Sequence, residues 1–283
     1  MLGLSGIWVL LVVVVSLFTP VFEKQRTRLS DAINERLNRF VPGFHKRYCH
    51  HIYHRHRNFD VKGLSTQGIY TLELQQVFVD LKIAPQTLHT ASTDPIRKKR
   101  PDEREAYPIW TYLGNGGNGD QNQHLAIIGP PGSGKTTLLK HLAIILTLPR
   151  RKRTQLKRLK RLPVLLFLRE HRKSITADES FALAQAVEND LQKYDLESPE
   201  GFFSAELQKG NCLVLLDGLD EVADPQDRHK VSQWIERQMK SYPQNKFAVT
   251  SRPNGYRSSP LSGVTLLEVQ PFNQEQVETF VRN

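Results

Sequence analysis

Gly129, Gly134, Lys135 and Thr136 occupy the fixed positions of a G-x-x-x-x-G-K-[ST] pattern, within the run Gly129-Pro-Pro-Gly-Ser-Gly-Lys-Thr-Thr137. The residue types fit the wrapping of an oligophosphate. Successive backbone N–H groups must turn inward around the anion, and a side chain at Gly132 or Gly134 would obstruct that turn. Pro130, Pro131 and Ser133 complete the loop, and Thr137 continues it into the next element. Lys135 brings a mobile cation to the β- and γ-phosphates, and the Thr136 hydroxyl is a ligand for Mg²⁺. A second group lies in Cys212-Leu-Val-Leu-Leu-Asp-Gly-Leu-Asp-Glu221, where Asp217 ends an apolar run and Asp220 and Glu221 follow within a turn's reach. Asp217 is the candidate Mg²⁺ partner, through water, and one of the later acids is the candidate for orienting or deprotonating an attacking water. Glu221 is the first choice and Asp220 the second; spacing alone does not separate them. Thr250, Ser251 and Arg252 close the short apolar run from Lys246, and a guanidinium there can stabilise γ-phosphate charge and report its presence.

These groups need a scaffold that brings them to one edge. His124–Ile128 is a short apolar run suited to a buried strand, and Thr137–Leu146 carries Leu138, Leu142 and Ile145 at helical spacing. Strand, glycine loop and helix in that order aim a helix N-terminus at the anion. Leu162–Leu168, Cys212–Asp217, Lys246–Arg252 and Val264–Val269 read as further strands, the apolar ones continuous as in a parallel sheet. Between them, Ser180–Tyr194 and Pro225–Tyr242 have helical apolar spacing, and Asn273–Val281 begins another helix. The expected fold is α/β: a three-layer αβα nucleoside-triphosphatase unit over residues 124–283, with a mainly parallel sheet and helices on both faces.

The 283 residues include 39% hydrophobic ones, with three Trp and thirteen Phe, which is ample for a packed core and excludes wholesale disorder. Cys49 and Cys212 lie far apart, and Cys212 falls in a strand pattern, so a disulfide framework is not expected and a reducing compartment fits. Leu2–Phe22 is almost wholly apolar, just long enough to span a bilayer, and Lys24, Arg26 and Arg28 follow it. It lacks the basic leader and cleavage site of a signal peptide and the polar face of a soluble helix. The expectation is a single-pass anchor over residues 1–22 with the remainder cytoplasmic. Residues 23–113 read as a membrane-proximal helical and extended region: an amphipathic helix over Ser30–Phe40, a histidine-rich basic helix over His45–Arg57 facing an anionic membrane surface, a strand with Val77, Val79, Leu81 and Ile83 on one face, a charged linker over Ile96–Arg104 and a small packing element at Ile109–Leu113. His50 and His54 are one helical turn apart, but the surrounding cations oppose a metal ion. Residues 114–123 are a flexible Gly/Asn loop. The formal charge of +10 is concentrated in Arg150–Arg161, read as a solvated insertion because no aromatic residue is interleaved for base stacking.

With those motifs in view, the chain resembles the NACHT family, a signal-transducing branch of the P-loop ATPases. The resemblance rests on Ile127–Thr137, the Leu-Leu-Asp-Gly-Leu-Asp-Glu box ending at Glu221, Val249-Thr-Ser-Arg-Pro253 and Val269-Gln-Pro-Phe272. It implies a nucleotide-dependent switch that binds Mg²⁺ with ATP or GTP, hydrolyses slowly and passes its state to self-assembly or a signalling partner. It also implies phosphate and Mg²⁺ roles for Lys135 and Thr136, Mg²⁺ for Asp217, hydrolysis for Asp220 and Glu221, and γ-phosphate sensing for Arg252. The sequence stops before the winged-helix segment and repeat array usual in the family, so the expectation from the resemblance is a C-terminally truncated member. The rival readings are a nucleotide-binding scaffold that does not turn over and, resting only on the basic run, a nucleic-acid-dependent motor.

Overall fold

The computed structural model describes residues 42–58, 73–85, 106–113, 124–153 and 159–282. The chain divides into units of residues 1–46 and 47–283. Of the first, only residues 42–46 are described, the opening of helix α1 (Pro42–His56). The expected anchor over 1–22, the helix over Ser30–Phe40, the linker over Ile96–Arg104 and the loop over 114–123 lie outside the described residues.

The second unit is built on one seven-stranded sheet in the order β2-β1-β7-β3-β6-β5-β4. Its parallel part comprises β3 (His124–Ile128), β4 (Leu162–Phe167), β5 (Cys212–Asp217), β6 (Lys246–Ser251) and β7 (Val264–Val269), while β1 (Lys82–Pro85) and β2 (Tyr107–Pro108) add an antiparallel edge. Every residue of β5 and β6 is buried, which is why Cys212–Leu216 and Phe247–Val249 read as unbroken apolar runs rather than alternating ones. Helix α4 (Lys135–Thr147) follows β3 and packs against β4 and β5; α5 (Leu168–Ala177) packs against α8 (Pro225–Ser241), and α6 (Leu183–Gln192) against α7 (Phe202–Gln208). The Asp224 side chain caps α8 by accepting from Asp227 N at 2.8 Å, and Pro225 takes the first helical position, where no N–H is missed. The chain passes from β6 through α9 (Pro253–Ser258) to β7 on the far side of β3. The C-terminal ends of β5, β6, β3 and β7 therefore lie along one edge, with β6 between β3 and β5.

Several expectations change. Thr71–Ile83 is not one strand: Leu74–Val77 is a short helix, α2, with Leu74 and Val77 buried one turn apart, and only Lys82–Pro85 joins the sheet, pairing Ile83 with Val269. The small element at Ile109–Leu113 is a helix, α3, while helices α5, α7 and α9 were not legible. The polar α5 buries only Leu168, His171 and Ile175, and its N-cap residue Phe167 offers no side-chain cap. Helix α1 is not a surface-facing basic helix. Tyr48 and Ile52 are buried, the Tyr48 hydroxyl donates to Pro163 O at 2.8 Å, and Arg55 pairs with Asp190 while its guanidinium lies 4.3 Å over Tyr194. The rings of His50 and His54 lie on its exposed side with centroids 4.0 Å apart, tilted at 47° to each other.

The expected localisation as a single-pass membrane protein is corrected. Among the described residues no helix is long and apolar enough to cross a membrane. The longest described helix, α8, has 17 residues and is amphipathic, with charged residues along one face, whereas a spanning helix needs about 20 apolar ones.

Within the basic run, residues 154–158 lie outside the described residues, but two of its arginines are structural. Arg153 donates to the carbonyls of Leu146, Leu148 and Leu159 at 2.6, 2.8 and 2.8 Å, satisfying the open end of α4. Arg161 donates to the carbonyls of Gly210, Cys212 and Gln244 at 2.8, 3.1 and 3.0 Å, tying together the entries to β4, β5 and β6. Hydrogen bonds from a charged donor contribute about 1.5–3 kcal/mol each when their loss strands the acceptor. Arg161→Ala is therefore expected to lower the urea unfolding free energy by about 2 kcal/mol or more, while exposed Lys160→Ala changes it by less than about 0.5 kcal/mol.

Burial also holds two histidines neutral. His56 is depressed to about 3, first by desolvation and then by neighbouring cations, and His141 to about 4 by desolvation alone. The His141 ring stacks on Phe78 with centroids 3.5 Å apart. In the unfolded chain such residues titrate near 6.5. Below that pH the unfolded chain binds the extra protons, so their contribution is complete above about pH 6.5 and is lost as pH falls toward 4. Thermal melts between pH 7 and 5 should show this loss, with a limiting slope of about 1.4 kcal/mol per pH unit for each histidine, and His141→Gln should flatten it.

Candidate functional site

The loop Gly129–Gly134 leaves the end of β3 and enters α4 at Lys135. Gly132 and Gly134 have φ of +74° and +84°, left-handed values that side chains disfavour, so the two glycines are fixed by backbone shape. Eight residues of α4 are buried, among them Leu138, Leu142 and Ile145. That burial anchors the helix and presents its N-terminus to the loop, where free N–H groups and the dipole favour an anion. Lys135 folds back over the loop: its Nζ donates to Gly129 O at 2.7 Å, Pro130 O at 2.9 Å and Ser133 Oγ at 3.2 Å. Burial lowers the Lys135 pKa; the nearby Asp220 opposes this, Arg252 reinforces it, and Asp217 and Glu221 oppose it further.

Asp217 terminates β5 and is buried. Its Oδ2 accepts from Thr136 Oγ1 at 2.8 Å, across 81 residues of sequence, and its Oδ1 accepts from Thr250 Oγ1 on β6. The Thr250 hydroxyl in turn accepts from Gly218 N at 2.9 Å. A hydroxyl and a carboxylate converging beside a phosphate-binding loop are hard oxygen donors of the kind Mg²⁺ takes. The donor set fits the metal.

The two later acids differ in their partners. The Asp220 carboxylate accepts from Arg252 N at 2.8 Å and pairs with Arg252 Nε at 3.0 Å, so both its oxygens serve one arginine. Glu221 pairs with Arg169 at 3.0 Å, and both side chains are well exposed. The turn Leu219–Glu221 carrying them is held from below. Arg228 on α8 donates to Val222 O at 3.0 Å, Ala223 O at 3.2 Å and Ser258 Oγ at 2.9 Å, and Gly255 on α9 packs against Asp220.

Beside the loop lies a mainly apolar cavity of about 440 Å³. Pro130–Gly134 and Thr137 form its floor, Leu74, Val77, Phe78 and Leu81 one wall, and Val269–Phe272 with Phe280 of helix α10 (Gln274–Arg282) the other. The walls are tied together, since Gln276 Nε2 donates to Asp80 O at 2.6 Å and Gln270 N to Lys82 O at 2.9 Å. Pro131 also borders a second cavity of about 450 Å³ that includes Asp220, Arg228 and Arg252.

Gly129–Thr137, Asp217, Asp220, Glu221 and Arg252 thus all lie at one sheet edge. Sequence reading missed Arg169, Arg228, Gly255 and the cavity walls. Arg169 carried a weak signal, because it follows a strand that ends level with Asp217, pairing Phe167 with Asp217. The others depend on contacts between distant segments.

Gly255 yields a prediction. A Cβ there would lie 2.4 Å from Asp220 Cβ and 2.9 Å from its Cα, inside hard contact with a backbone atom. Overpacking of this kind costs about 1–3 kcal/mol. Gly255→Ala should lower the denaturant midpoint accordingly.

Among solved structures, the chain is similar to PCH-2 of C. elegans (16% identity, 59% of this chain and 41% of that one, TM-score 0.30) and to the Aeropyrum pernix ORC1 protein in complex with DNA (16% identity, 58% and 44%, TM-score 0.33). It spans less than half the length of either. No curated protein matches it. The family profile described as the NACHT domain matches residues 123–283, more than half of the sequence, and the chain belongs to the NACHT family of P-loop nucleotide-binding NTPases.

Proposed function

We propose that residues 124–283 bind Mg²⁺ with ATP or GTP, hydrolyse it slowly, and use the diphosphate and triphosphate states as a switch governing self-assembly or a signalling partner. The observation that carries this reading is the 2.8 Å approach of Thr136 Oγ1 to Asp217 Oδ2 at the mouth of the glycine loop. It joins the phosphate-binding and carboxylate halves of a nucleotide site. The phosphates take the place beside the N-terminus of α4, and Lys135 turns its ammonium from the loop carbonyls to the β- and γ-oxygens. Thr136 and Asp217 would hold the metal, which when bound would supply charge neutralisation to the phosphates. The base enters the cavity between Leu74–Leu81 and Val269–Phe272, where apolar walls exclude water and backbone groups are available.

The ion pairs support different roles for the two acids. Asp220 holds Arg252 at the γ-phosphate side, where its guanidinium stabilises charge and registers that phosphate. Glu221, paired with the exposed Arg169, orients the attacking water and accepts its proton. The switch character rests on a hydrolytic site that is completed only on assembly, so turnover by the isolated protein stays below the ordinary enzyme rate of about 10 s⁻¹.

A second reading, a non-hydrolysing nucleotide scaffold, draws on the same pairs, since Asp220 and Glu221 each face an arginine. Phosphate release from ATP and from GTP separates the two. The wild type should release phosphate slowly. Lys135→Ala should lose nucleotide binding, and Glu221→Gln should bind normally while release falls by about 10²–10⁴. Tight binding by a wild type that releases no phosphate would favour the scaffold, and a folded wild type that binds neither nucleotide would remove both readings.

A further inference from the structure

Thr250 is fully buried in β6, between the strand that feeds the glycine loop and the strand that ends in Asp217. In register it pairs with Ile127 of β3, and on the other side Val249 pairs with Leu216 of β5, so Thr250 is level with Asp217. Its hydroxyl has two bonds with fixed roles. It accepts from Gly218 N at 2.9 Å, and its only proton goes to Asp217 Oδ1. Gly218 has φ +78°, so the chain turns sharply just after Asp217, and Thr250 grips both sides of that turn. The other carboxylate oxygen, Oδ2, then faces Thr136 Oγ1.

We propose that Thr250 is a positioning residue for the metal: its hydroxyl fixes the rotation of the Asp217 carboxylate so that Oδ2 is presented to a divalent cation beside Thr136. The inference rests on the nucleotide-binding reading above and extends it. A carboxylate held at one oxygen by a buried donor loses its freedom to rotate, and its second oxygen meets the cation without reorganisation. Valine has nearly the shape of threonine but offers neither bond, which would leave the Gly218 N–H unpaired and Asp217 free to rotate.

The test is equilibrium binding of fluorescent ATP and GTP analogues to the full chain, with Mg²⁺ and with EDTA, for the wild type, Thr250→Val and Thr250→Ser. Circular dichroism and thermal melts confirm folding of each. The wild type should bind more tightly with Mg²⁺. Thr250→Val should lose about 10–100-fold of affinity in Mg²⁺, the usual cost of removing a partner behind a metal ligand, with its EDTA affinity unchanged. Thr250→Ser, which keeps the hydroxyl, should behave as the wild type. A purely structural role would weaken both conditions equally, and that result, or an unchanged Mg²⁺ dependence in Thr250→Val, overturns the proposal. If Thr250→Val does not fold, Thr250→Ala against Thr250→Ser makes the same comparison. A wild type that binds nucleotide with no Mg²⁺ enhancement removes the metal reading and this inference with it, whereas enhanced binding that is indifferent to Thr250 removes the inference alone.

Discussion

The candidate site depends on one buried carboxylate. Asp217 receives hydroxyl protons from Thr136 on the helix after the glycine loop and from Thr250 on the intervening strand. Three segments far apart in sequence are thereby fixed to a common point at the end of the sheet. An ionised carboxylate removed from water is costly unless its oxygens are hydrogen-bonded, so the arrangement is constrained as a whole: either hydroxyl lost leaves an oxygen without its partner. The parallel sheet makes the meeting possible. Its strands β3, β6 and β5 end level with one another, and the loops that follow them open to the same side, where ligands bind in folds of this type.

Outside that point, the charges are arranged in pairs. Asp220 with Arg252 and Glu221 with Arg169 each join a residue of the Leu219–Glu221 turn to the end of a neighbouring strand. The first pair is the more fixed, because Arg252 also gives its backbone N–H to Asp220 and Gly255 closes against it. The second is more exposed and correspondingly weak. On the other side of the loop, residues from two ends of the unit form one cavity, and Gln276 bridges its walls. Helix α10, which forms part of one wall, also leaves Val277, Phe280 and Val281 exposed.

The glycine loop, the strand ending in Asp217 and the strand ending before Arg252 were legible because each combines local chemistry with a local pattern: glycines where φ must be positive, and unbroken apolar runs where a strand is buried on both faces. The rest depended on tertiary contacts. Spacing could not separate Asp220 from Glu221, since their difference lies in which arginine each one meets. Val77, Val79, Leu81 and Ile83 alternate as a strand would, yet Leu74 and Val77 are buried one turn apart in a helix, a contact that alternation does not reveal. The arginines of the basic run gave no sign that Arg153 and Arg161 would serve main-chain carbonyls. The histidine-rich helix read as a membrane-facing surface, yet Tyr48 and Arg55 dock it on the protein itself.

The most direct measurement is hydrogen–deuterium exchange of the backbone amides of Gly132–Thr137, with and without Mg²⁺ and ATP or GTP. If the loop cradles the phosphates through its N–H groups, those amides become strongly protected when nucleotide and Mg²⁺ are added, together with the amides near Asp217 and less so with nucleotide alone. Unchanged exchange of the loop under saturating Mg²⁺ and either nucleotide, in a folded sample, would contradict the account.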